Sequence, residues 1–180
     1  MRILFIHPMP PPSLLFLQKI TYHYGLGIIS AVLKQHGHEV KYVSCYKFNP
    51  KKIARIIIDY QPNLVGISVA SNQFSLAEEI TNFIDEVYKI PVVLGGVHAT
   101  VRPEETINIK GAFGVCLGEG EYPMLELAEL LEENPSPSPE DLNILNFWFK
   151  KNGEITPVDE GIIDDLTKKG VWEILDEISR

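Results

Sequence analysis

Three short stretches, with a long segment ahead of them, hold the residue types from which a binding crevice is built. They are Ser68-Val69-Ala70-Ser71-Asn72, Gly95-Gly96-Val97-His98, and Gly118-Glu119-Gly120-Glu121, with the segment His7–Gly25 before them. Ser68 and Ser71 carry hydroxyls that give or take a hydrogen bond. Small polar residues of this kind also begin helices, and both readings stand. Gly95 and Gly96 follow an apolar run, permit positive φ and remove side-chain bulk. One glycine serves a tight turn; two, followed by His98, favour a large flat ligand lying against main chain. His98 either makes one hydrogen bond at the rim or is structural. Gly118, Glu119 and Gly120 precede a helix start, whose free amides suit a carbonyl or an anion. The two carboxylates oppose a bare phosphate and suit hydroxyl, amide or amine groups better. The chemistry points to a bulky ligand, in part uncharged, rich in amides and hydroxyls.

Other chemistries lack their residues. Pro8, Pro10, Pro11 and Pro12 stiffen the connection after the first apolar run, where a dinucleotide site needs Gly-x-Gly-x-x-Gly. Gly25 and Gly27 come too late for that turn. No Gly-Lys-Ser/Thr is present for a phosphate loop, no Ser/Thr/Gly-rich loop for flavin mononucleotide, and no acidic cluster for a receiver domain. A Gly-x-Ser-x-Gly elbow is missing, and no His, Cys and carboxylate cluster has metal-site spacing. Tyr22 and His23 sit at the ligand end of the first helix as candidates for a ring or metal contact. His36 and His38 lie at its far end and read as solvent-facing turn residues.

The elements that must position these residues alternate. Arg2–His7, Glu39–Ser44, Leu64–Ser68, Pro91–Leu94 and Phe113–Leu117 are apolar runs of the kind covered on both faces. Between them, Tyr24–Gln35, a segment opened by Asn49-Pro50, Ser75–Tyr88 and Glu121–Glu133 repeat apolar residues at helical spacing. Asn49 suits a cap with Pro50 in the first turn. Ser75 and Glu78 have capping-box spacing. Glu104–Ile109 is a short helix candidate. The alternation predicts an α/β fold: a five-stranded parallel sheet with helices on both faces, flavodoxin-like, in the order 2-1-3-4-5, which needs a single reversal. Residues 1–133 form this domain. Residues 134–180 hold a Pro/Ser-rich linker, NPSPSPEDL, then an aromatic hairpin around Lys151-Asn152-Gly153 and a short terminal helix at Val171–Arg180.

Composition bounds the setting. The 180 residues include 16 Lys and Arg against 24 Asp and Glu, a formal charge of -8, which disfavours nucleic acid and anionic lipid. No apolar run is long enough to span a bilayer, and the start lacks a signal peptide's features. A cytoplasmic protein is expected. Cys45 and Cys116 stand far apart and form neither a disulfide framework nor a metal motif.

Four motifs in this order, RILFIHP, GISVASNQ, PVVLGGVHATVRPEE and GVCLGEGEYPMLELAELL, resemble the cobalamin-binding domain that precedes the catalytic barrel of cobalamin-dependent radical S-adenosylmethionine enzymes. The resemblance covers roughly residues 1–133, and an aromatic hairpin, NFWFKKNGEITPV, follows as in the family. It implies a corrinoid across the carboxyl ends of the strands, with its nucleotide tail in a slot beside the sheet. Gly95 and Gly96 would line that slot. Ser68, Ala70 and Ser71 would meet the tail or ring amides, with His98 at the rim and Gly118, Glu119 and Gly120 opposite. Mutases and methionine synthase carry Asp-x-His-x-x-Gly, whose histidine ligates cobalt; here Ile20, Tyr22 and Gly25 stand at those places and only the glycine survives. The expectation is base-off cobalamin without a protein histidine ligand, its lower face shielded by Tyr22 or by the proline loop at Pro10. Radical chemistry needs Cys-x-x-x-Cys-x-x-Cys for a four-iron cluster, which two cysteines cannot supply. The cluster and S-adenosylmethionine are therefore expected on a barrel domain, in cis or in trans, and the chain reads as a piece of a longer methyltransferase or related enzyme. The alternative is a scaffold or interaction domain that keeps the fold without a corrinoid.

Overall fold

In a computed structural model of the chain, residues 1–10, 23–151 and 153–157 are described. The run RILFIHP forms β1 (Arg2–Pro8). Successive residues of a strand point to opposite faces. Accordingly, Ile3 and Phe5 enter one apolar cluster, while Leu4 and Ile6 enter another. β2 (Glu39–Cys45), β3 (Leu64–Ser68), β4 (Val92–Gly95) and β5 (Gly114–Cys116) join β1 in parallel, in the order β2-β1-β3-β4-β5. This is the single-reversal order expected from the sequence.

The sheet does not stop at five strands. β6 (Phe147–Lys151) and β7 (Glu154–Pro157) continue it antiparallel, so it has seven. The aromatic hairpin is thus part of the sheet. Without it β5 would be an edge with open backbone groups, and an isolated hairpin is marginal in water. Phe147 and Phe149 stack at 4.9 Å and are fully buried in the cluster that holds Phe5. Gly114 makes the room: a Cβ there would stand 2.9 Å from the Phe149 ring.

Six helices connect the strands among the described residues: α1 (Tyr24–Gln35), α2 (Pro50–Tyr60), α3 (Phe74–Tyr88), α4 (Val97–Val101), α5 (Pro103–Ile107) and α6 (Glu121–Glu133). Leu26 and Leu33 of α1, with Met124, Leu127 and Leu131 of α6, cover the Ile3–Phe5 face. Ile53 and Ile57 of α2, with Ile80 and Ile84 of α3, cover the Leu4–Ile6 face. Asn49 caps α2 as expected, accepting from the Lys52 N–H at 3.0 Å.

Four local readings change. The Ser75–Glu78 capping box does not form, because a 3-10 turn at Ser71–Gln73 leads the chain into α3 and no side chain caps it. The expected helix at Glu104–Ile109 becomes α4 and α5, separated at Arg102; Pro103 opens α5, where a missing N–H costs nothing. His38 is buried rather than solvent-facing, with Nδ1 3.0 Å from the Met1 amino group and 3.6 Å from Glu132. The linker carries its own 3-10 turn, Pro139–Asp141, and sends Leu142 and Ile144 into the core. The proposed helix at Val171–Arg180 lies outside the described residues.

Candidate functional site: a slot at the carboxyl ends of the strands

Because β4 ends in two glycines and β5 ends before Gly118 and Gly120, the crest of the sheet carries little side chain. A cavity of about 100 Å³, within about 580 Å³ of space open to solvent, descends there between α1 and α6. Phe5, Leu26, Ile29, Cys116 and Met124 give it apolar walls; Gly66, Gly95 and Gly120 keep it narrow-walled but open. Gly66 is a packing glycine, since a Cβ there would meet the Phe5 ring at 2.5 Å. Burial pushes the Cys116 thiol up to about 12, helped by the Glu121 and Glu119 carboxylates, so the slot presents a neutral S–H.

The crown loops are tied to one another by hydrogen bonds. Val69 N–H donates to Gly95 O at 2.7 Å, and His98 N–H donates to Val69 O at 3.1 Å. This lacing requires Gly96 to adopt φ +100°, with the site of a missing Cβ only 3.1 Å from Ser68 Oγ and Val69 O. Thr100 Oγ1 donates to Gly96 O at 3.1 Å and accepts from Gly118 N–H at 3.0 Å. The loops after β3, β4 and β5 are therefore one connected frame.

At the entrance stands His23. It caps α1, its Nδ1 accepting from Leu26 N–H at 3.2 Å, and its Nε2 lies 2.8 Å from Ser68 Oγ. An accepting Nδ1 places the proton on Nε2, which donates to Ser68. The His7 ring meets His23 edge-on at 4.5 Å and stacks on Tyr42 at 6.3 Å. Burial, reinforced by the neighbouring His23, lowers His7 to about 4, and burial lowers His23 as well. Both imidazoles are held neutral.

Of the residues singled out in the sequence, Gly25, Ser68, Gly95, Gly96, Gly118, Glu119 and Gly120 line this slot. Ser71 and His98 stand beside it and bond each other, Ser71 Oγ to His98 Nδ1 at 3.0 Å. Ala70 is extended backbone leading into the 3-10 turn. Pro10 follows Met9, whose N–H donates to Cys45 O at 2.8 Å, and does not line the slot. Tyr22 lies outside the described residues. The apolar walls and Thr100 carried no sequence signal of their own; Gly66 did, since glycine inside a strand marks close approach. Among the described residues no three His, Cys, Asp or Glu are grouped to hold a metal ion, and no helix is long and apolar enough to cross a membrane.

Comparison with known proteins gives a consistent family. The chain is 29% identical over 156 residues to cytidylyl-2-hydroxyethylphosphonate methyltransferase of Streptomyces wedmorensis, covering 75% of this chain and 29% of that protein. The radical S-adenosylmethionine methyltransferase TsrM from Kitasatospora setae, solved with cobalamin and a [4Fe-4S] cluster, superposes with a TM-score of 0.73 at 19% identity, over 87% of this chain and 28% of that one. The cobalamin-dependent radical enzyme OxsB with aqua-cobalamin bound gives 0.69 at 20% identity, over 88% and 22%. The chain thus spans less than a third of the length of each of these relatives. At such identities the two structures establish the fold; the membership rests on the B12 binding domain family, which matches residues 17–128 and so takes in α1, the first two turns of α6 and the ends of β3, β4 and β5. This chain belongs to the B12-binding domain family and resembles the cobalamin domains of radical S-adenosylmethionine methyltransferases.

Proposed function

We propose that the chain binds cobalamin and presents it to a radical S-adenosylmethionine barrel, in cis or in trans, which would hold the iron–sulfur cluster. The observation that carries this reading is the slot itself: apolar walls from α1 and α6, a glycine-lined side at Gly95 and Gly120, and a mouth at the crest of the sheet. A flat aromatic base suits such walls, and the amide-rich ring suits the hydroxyls and carboxylates of Ser68, Ser71, Glu119 and Glu121. The residues present fit the group, because the crest beside Gly95, Gly118 and Gly120 carries little side chain and opens into an apolar slot. Bound there, cobalamin supplies a cobalt centre able to accept and release a methyl group.

The chain's own part is to seat the ligand and to leave the cobalt free of a protein nitrogen. Both ring nitrogens of His23 are already engaged, one by Leu26 N–H and one by Ser68. This supports binding without His23 as a cobalt ligand; the base-off state itself is left to the spectrum. The purified chain mixed with hydroxocobalamin should co-elute with a base-off visible spectrum on gel filtration. Gly95→Leu should abolish retention and leave the fold intact, since a Cβ at Gly95 makes only an ordinary 3.6 Å contact with Cys116. No retained corrinoid at high micromolar concentration overturns the proposal and leaves a scaffold domain. Gly96 is a poorer probe: its φ of +100° makes any side chain strained by about 1–3 kcal/mol before a ligand is considered.

A further inference from the structure

Beside the slot, Ser71 is the outer end of a chain that runs through His98 to Glu105, two residues the slot reading leaves without a role. His98 is buried with its ring packed on Phe74 at 4.6 Å, which fixes the plane of the imidazole. Its Nδ1 lies 3.0 Å from Ser71 Oγ, and its Nε2 faces Glu105 Oε2 at 3.6 Å. Nε2 is sealed from solvent and has no hydrogen-bond partner, and the Glu105 carboxylate is the charged group that faces it. A lone pair aimed at a carboxylate would be repelled, whereas an N–H is attracted. Glu105 therefore selects the Nε2–H tautomer, and Nδ1 is left to accept. Ser71 must then give its single proton to Nδ1, which leaves its oxygen lone pairs facing outward. Ser71 is exposed at the crest of the sheet, three residues past Ser68.

From this we infer that Ser71 is a hydrogen-bond acceptor with its direction fixed by Glu105 through His98, and that it selects corrinoids bearing a side-chain carboxamide over those bearing a carboxylate at the same position. This rests on the cobalamin reading above and adds the ligand's chemical class. Ser71 meets the ligand; His98 and Glu105 are positioning residues. An amide N–H donates to the Ser71 oxygen, while a carboxylate brings a second acceptor and leaves both unsatisfied.

The test compares hydroxocobalamin with its monocarboxylates, each having one ring-side-chain amide hydrolysed, by spectral titration at pH 8. For at least one isomer the wild-type chain should prefer the amide by about tenfold. Ser71→Ala should bring that ratio close to the value for the other isomers, and Glu105→Ala should reduce it. In parallel, imidazole 15N shifts of the ligand-free chain should show His98 as Nε2–H, with the bias lost in Glu105→Ala. A ratio unmoved by Ser71→Ala overturns the inference and assigns the preference to the chain's general negative charge; so does an Nδ1–H tautomer in the wild type. Failure of the wild type to bind any corrinoid instead overturns the cobalamin reading, and this one with it.

Discussion

His23 stands at the entrance of the slot with His7 packed against it, and burial keeps both uncharged. The consequence for stability has a definite sign. The folded-state value of His7 is depressed from 6.5 to about 4, so between those values the unfolded chain binds more protons than the folded one. Stability is fully present above pH 6.5 and falls as pH drops toward 4, with His23 acting in the same direction. Urea unfolding midpoints should decline between pH 7 and pH 5, a window above that of ordinary carboxylates. His7→Phe should flatten the decline while keeping a ring against Tyr42; an unchanged slope would place the sensitive group elsewhere. At this scale the glycines and the shortage of bulk at the crest were legible, because paired glycines after apolar runs exceed what a tight turn needs; the serines were not, since small polar residues also begin helices. The pairing of His98 with Glu105 was not, since the two lie on separate short helices whose break at Arg102 is a tertiary matter.

The elements follow from patterning with few exceptions. Strands covered on both faces need continuous apolar runs, and β1, β3, β4 and β5 have them; the run at Glu39–Ser44 was expected to be covered too, but β2 is the edge strand and, as EVKYVSC, stays largely exposed. What the pattern does not contain is β5's second neighbour. Pairing β5 with Phe147–Phe149 bridges some thirty residues that include α6 and the linker, and nothing local announces it; only the surplus of aromatic residues hinted that the hairpin needed a surface. Likewise the capping box at Ser75 had the right spacing and lost to a 3-10 turn set by the frame above the sheet. Phe149 is the element-scale test of this join. Phe149→Ala empties a fully buried site over Gly114 and should cost about 3–5 kcal/mol, measured as a lower denaturation midpoint. A cost under about 1 kcal/mol would mean that the hairpin is an ornament rather than a structural strand.

On the scale of the whole molecule, one apolar cluster spans both the slot and the hairpin. Leu26, Phe5 and Met124, which wall the slot, share it with Phe147 and Phe149 of β6. If a guest that fills the slot tightened that shared packing, the gain would be reciprocal by thermodynamic necessity. Hydroxocobalamin should therefore slow amide hydrogen exchange at Trp148 and Phe149 as well as around Gly95; protection confined to the crest would show the two ends to be independent. The chain runs on from Pro157 at the outer border of the sheet, directly after the hairpin. Whatever is tethered there would feel whether the cofactor is aboard, through the stiffness of its anchor rather than through any touch on the corrinoid.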